Sequence, residues 1–149
     1  MKEYIFILSL FLLSCKGKQE KTSLSNNETD LLQTANNFYY KEKYELAKRC
    51  FDTLVVRDSV NGEYYYKRGY SKYMLLTDDR GAILDFLSSI KYNYKNKKGA
   101  YLTIGTLYRI LSKYDSSIYF YNKSLAEDPN YEKAKKEKME VLKLIEGSR

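Results

Sequence analysis

Apolar residues in this chain recur at helical spacing, and the unit carrying them recurs as a whole. Three blocks align without gaps: Tyr44-Glu45-Leu46-Ala47-Lys48-Arg49-Cys50-Phe51, Asp79-Arg80-Gly81-Ala82-Ile83-Leu84-Asp85-Phe86 and Tyr114-Asp115-Ser116-Ser117-Ile118-Tyr119-Phe120-Tyr121. The small residues Ala47, Ala82 and Ser117 stand 35 apart, and Phe51, Phe86 and Tyr121 keep that interval. Upstream, Ala35, Gly69 and Gly105 precede them by 12, 13 and 12 positions. Each has bulky neighbours: Leu31 and Phe38, Tyr65 and Tyr73, Tyr101 and Tyr108. A glycine inside a helix costs about 1 kcal/mol relative to alanine, so it is kept where another backbone comes close. The spacing therefore predicts helix, tight turn, helix in each unit, with turns at Lys41–Lys43, Thr77–Asp79 and Ser112–Lys113. Neither helix buries its apolar stripe alone, so the units must stack.

This pattern resembles the tetratricopeptide-repeat family over residues 28–130. Gly69, Gly105 and Ala35 stand at the family's small first-helix position; Ala47, Ala82 and Ser117 stand at its second-helix alanine. Phe51, Phe86 and Tyr121 take its aromatic place, and Pro129 falls at its proline after the second helix. The first two units depart from the pattern, with Ser59 and Tyr94 where that proline falls, and the opening bulky residue is never Trp. The resemblance implies an all-α fold: about three repeats in a right-handed superhelical array. Residues 131–149 follow as a capping helix and tail, whose Tyr131, Ala134, Val141, Leu142 and Ile145 make a broken apolar stripe.

The same resemblance implies a groove lined by the first helices. It would take Leu32, Asn36, Tyr39 and Tyr40 from the first unit, and Tyr66, Lys67, Tyr70, Tyr73 and Met74 from the second. The third would give Leu102, Thr103, Thr106, Arg109 and Ile110. Tyr66, Tyr70 and Tyr73 recur at spacings of four and three, so they share one helix face. The expected partner site is centred on them, with Tyr39 and Arg109, and takes a protein or peptide. Some of these tyrosines are expected to pack between helices instead. Chaperone-binding members clamp a C-terminal carboxylate with Lys, Asn and Arg. Asn36 matches one clamp place, while Leu32, Lys67, Gly99 and Thr103 do not match the others.

Ahead of the repeats lies a different composition. An apolar run from Tyr4 to Leu13 is too short to span a bilayer, which takes about 20 residues, and fits the core of a signal peptide. Leu12-Leu13-Ser14-Cys15 resembles the lipobox of bacterial lipoproteins, with Leu13 where a smaller residue is usual. The resemblance implies cleavage of residues 1–14, lipid on Cys15, and a chain held at a membrane of the bacterial envelope. Lys16 after the cysteine leans toward the outer membrane. Residues 15–27 then read as a polar tether.

Composition narrows the chemistry. The chain has 17 Tyr and no His, so the side chain that titrates near neutrality and is the commonest metal ligand is absent. No phosphate-binding glycine loop or metal-spaced cluster occurs. No enzyme activity, cofactor or metal is therefore expected. With Cys15 lipidated, Cys50 has no disulfide partner and reads as an inert, partly buried thiol. The net charge of +7 keeps open an alternative reading, a polyanion- or nucleic-acid-binding repeat protein. An exported leader argues against it.

Overall fold

The computed structural model describes residues 16–147, and side chains from Glu28 onward. The leader 1–14 and Cys15 lie outside the described residues. Helices α1 (Lys16–Tyr40), α2 (Tyr44–Arg57), α3 (Gly62–Leu75), α4 (Asp79–Lys91), α5 (Lys97–Ile110), α6 (Tyr114–Glu127) and α7 (Glu132–Glu146) follow one another, with no strand among the described residues. Each helix packs on its neighbours in the chain: α1 on α2, α3 on α4 and α5 on α6 within units; α2 on α3, α4 on α5 and α6 on α7 between them. That nearest-neighbour stacking is the mark of a repeat array. None of these helices is long and apolar enough to cross a membrane.

Local chemistry explains where the helices begin and end. Asn61, Asp78 and Asn96 accept hydrogen bonds from the backbone N–H of Glu63, Gly81 and Gly99, capping α3, α4 and α5. At the other ends, Glu42, Asn93 and Ser112 adopt left-handed backbone with φ of 58°, 57° and 55°. In each case the next N–H reaches back five residues: Lys43 to Phe38, Tyr94 to Ser89 and Lys113 to Tyr108. These are Schellman closures, built here without the usual glycine. The segment 16–27, expected as a polar tether, is helical and forms the first half of α1. Its three lysines, Gln19 and Glu20 are good helix formers.

The small residues lie where helices cross. A Cβ on Gly69 would stand 2.9 Å from the Asp85 Cβ and 3.2 Å from the Ala82 carbonyl oxygen. On Gly105 it would stand 2.6 Å from the Tyr121 ring and 3.2 Å from the Ser117 carbonyl oxygen. Ser117 Oγ donates to the Gly105 carbonyl at 2.8 Å, so this small residue also ties the pair together. Ala35, Ala47 and Ala82 are fully buried, as are Phe51, Phe86 and Tyr121. The core runs through the array as three clusters: one around Phe51, one around Phe86 and Ile104, one around Tyr121 and Val141.

An ionic cluster joins the first two units. Arg68 of α3 donates from Nη2 to Asp85 Oδ1 at 2.6 Å and from Nε to Oδ2 at 3.0 Å. Lys72 reaches Asp85 Oδ2 at 2.9 Å, and Arg68 Nη1 approaches Asp52 of α2 at 3.4 Å. Asp85 is buried, and both of its carboxylate oxygens are taken up by the two cations of α3.

Candidate binding groove

The inner helices α1 and α3 bring tyrosines together into a continuous aromatic surface. Tyr39 sits with its ring centre 5.7 Å from Tyr70 and 6.2 Å from Tyr44, and meets Phe51 of the core edge-on at 6.3 Å. Tyr70 stacks on Tyr66 at 6.4 Å and meets Tyr73 at 6.1 Å. Tyr66 stacks on Tyr94 at 4.3 Å and meets Phe86 edge-on at 5.3 Å. Tyr39, Tyr66, Tyr70, Tyr73 and Tyr94 are each half-buried: one side packs on the core, the other remains open. Tyr40, at the rim, is 73% exposed.

Packing one side of each phenol against apolar neighbours shifts its acidity. Burial, reinforced by Tyr94 and Tyr70, lifts the Tyr66 phenol to about 12. Burial also raises Tyr39, Tyr73 and Tyr94. These hydroxyls stay protonated at neutral pH and are both donors and acceptors.

Three cations in this part of the array are tied to acids. Lys67 is buried, with Nζ 2.6 Å from Glu63 Oε1 and 2.6 Å from Asn36 Oδ1. It also lies 5.8 Å and 5.4 Å from the Tyr39 and Tyr40 ring centres. Lys98 meets Asp128 at 2.7 Å. Arg109 Nη2 stands 3.4 Å from Glu137 Oε2 of α7. Asn36 and Lys67, read from the sequence as one match and one mismatch to a carboxylate clamp, are here bonded to each other.

The expected site residues divide between two places. Tyr39, Tyr66 and Tyr70 form one patch, with Tyr73 at its edge. Arg109 lies near enough to Tyr73 to oppose the rise in its pKa that burial causes, but it is held by Glu137, which reinforces that rise. Leu102, expected in the groove, is buried with Tyr121, Ala134 and Val141. Thr106 Oγ1 donates to the Leu102 carbonyl and receives the Tyr121 hydroxyl at 3.3 Å. In the third unit α7 therefore packs against Leu102, while Ile110 stays 48% exposed. Tyr44 and Tyr94 were not anticipated, because both lie at helix boundaries outside the face of α3. The Glu63–Lys67 spacing of four was the available sign that Lys67 is neutralised.

Comparison with known proteins agrees with the architecture. No family model matches the chain, and no curated protein matches it. Solved structures do match. The Arabidopsis OM64 tetratricopeptide-repeat domain superposes with a TM-score of 0.69 at 20% identity, covering 78% of this chain and 94% of that one. The first such domain of Spaghetti (RPAP3), bound to an HSP90 peptide, gives 0.71 at 21% identity over 81% and 94%. MamA gives 0.66 at 20% identity over 88% and 85%. The likeness is one of fold: this chain folds as a helical-hairpin array like those of tetratricopeptide-repeat domains.

Proposed function

We propose that this repeat array is a protein-interaction module, held at a bacterial envelope membrane by lipid on Cys15. Its first two units grip an uncharged, apolar or aromatic stretch of another protein. The observation that carries the reading is the half-buried run Tyr39–Tyr70–Tyr66–Tyr94 on the inner helices. Rings fixed from behind and open in front lose little freedom on binding, and tyrosine is enriched among the residues that dominate interfaces. The neighbour bound to an HSP90 peptide supports the use of this fold for peptide capture. Here Glu63, Asp128 and Glu137 neutralise the nearby cations, which favours a partner without acidic groups over an acidic tail or a polyanion. The Leu12–Cys15 box supports anchoring, and Lys16 supports the outer membrane. A role as scaffold or accessory subunit of an envelope assembly or secretion complex follows from such an anchor and such a groove.

Two experiments test this. Cells fed a clickable fatty acid should label the wild type and not Cys15→Ser; equal label in both would remove the anchor. A photo-crosslinking residue at position 73 or 40 should capture a discrete protein partner, whereas one at Val56, 83% exposed on α2, should not. Equal capture at both places would remove the groove.

A further inference from the structure

A second surface differs from the groove in the state of its cations. On α4, Arg80, Ile83, Leu84 and Leu87 recur at spacings of three and four and share one helix face. That face is turned away from Ala82 and Asp85, which meet Gly69 of α3. Together with Tyr108 and Leu111 from the end of α5, and Lys113 after it, these residues line an open crevice of about 300 Å³. Leu84 is 64% exposed and Leu87 38%, an apolar presentation that the repeat core does not require. The volume lies at the lower end of ligand pockets, enough for one or two large apolar side chains. Arg80 and Lys113 stand at its margins, both exposed, and neither side chain has an ion-pair partner among the described residues. Lys67 and Arg109 on the first helices of their units both have one.

We infer that this crevice is a second docking site, for an acidic amphipathic helix of another protein: large apolar side chains enter between Leu84, Leu87 and Tyr108, and flanking Asp or Glu side chains meet Arg80 and Lys113. Charge complementarity selects this occupant. An apolar segment alone would leave two exposed cations unanswered, and a basic one would be repelled. A helix presenting residues at spacings of three and four matches a short groove between two helices. The array thus has one face for uncharged chain and another for acidic helix, and holds two partners at once.

The test uses the full chain in zwitterionic nanodiscs and a labelled amphipathic peptide with leucines at i and i+4 flanked by glutamates. Its twin carries lysines in place of the glutamates. By anisotropy the glutamate peptide should bind at least about tenfold more tightly than its twin, with an affinity that falls as salt rises. Leu84→Lys should weaken it by about tenfold or more, and Arg80→Glu should shift preference toward the lysine twin. Tyr40→Ala, in the inner groove, should leave it unchanged. Leu84 is exposed, so the variant should melt as wild type does; if it does not, Leu84→Gln replaces it. Equal binding of the two peptides, or binding indifferent to both Leu84 variants, overturns the inference. So does concentration-dependent self-association in sedimentation that Leu84→Lys abolishes, since a second copy would then be the occupant.

Discussion

The second and third units share a backbone register and differ in what fills it. At the second crossing Gly69 faces Ala82 and Asp85, and the Asp85 carboxylate is gripped by Arg68 and Lys72. At the third, Gly105 faces the Tyr121 ring and receives the Ser117 hydroxyl on its carbonyl. The inner faces differ as well. Tyr66, Tyr70 and Tyr73 remain half open, while Leu102 is buried with Ala134 and Val141 of α7. One repeat geometry thus carries two fillings: a half-open aromatic face in the second unit, and a buried leucine against α7 in the third.

The largest expected effect breaks the ionic side of this contrast. Asp85→Ala should cost about 3–5 kcal/mol in urea melts, because it leaves Arg68 and Lys72 partly buried without their carboxylate. Ser117→Ala, the matching change at the third unit, should cost only about 1 kcal/mol, the net worth of an ordinary hydrogen bond. Equal costs would erase the distinction between the units.

Overpacking tests what the units have in common. Gly69→Leu and Gly105→Leu should each cost about 1–3 kcal/mol, since backbone oxygens of Ala82 and Ser117 stand at the two sites. An unchanged midpoint for either would remove the shared register. These positions were legible in the sequence because a helix crossing demands a small residue on each helix, and Gly69 and Gly105 precede Ala82 and Ser117, themselves 35 apart, by 13 and 12. The Asp85 cluster was not legible. Arg68 and Asp85 lie 17 residues apart on different helices, and no local period links them. Nor did pattern separate the tyrosines: the face of Leu102 that α7 covers depends on how the last helix docks. The start of α1 was missed for a third reason, since polar helix formers without an apolar stripe also describe a tether.

A smaller gain should come from the turns. Ser112 holds a left-handed conformation that disfavours side chains, so Ser112→Gly should raise stability by about 1 kcal/mol. Leu76, which ends α3 at φ 53° and is 72% exposed, should respond alike. A loss of stability in both would contradict the cost assigned to left-handed backbone at these ends.

An effect confined to alkaline pH concerns the half-open tyrosines. The Tyr66 phenol is lifted from 10.0 to about 12, so the folded state favours its neutral form. That contribution is complete below about pH 10 and is lost as pH rises through about 12. Tyr66→Phe keeps the ring and removes the ionisable group. Its melting temperature should therefore fall less across that window than wild type does.

The central claim is that the half-open tyrosines bind rather than merely pack. The direct measurement pairs binding with melting for Tyr40→Ala and Tyr70→Ala, against the partner captured by the photo-crosslinker. Tyr40 is exposed, so its loss should leave the melt unchanged while weakening binding. Tyr70 touches Tyr39, Tyr44, Tyr66 and Tyr73, so its loss should lower the melting temperature somewhat. Binding should weaken by about 2 kcal/mol for Tyr70→Ala at temperatures where both proteins are fully folded. Binding that is unchanged for Tyr40→Ala, and that falls for Tyr70→Ala only in proportion to unfolding, would contradict the claim and make these tyrosines part of the core.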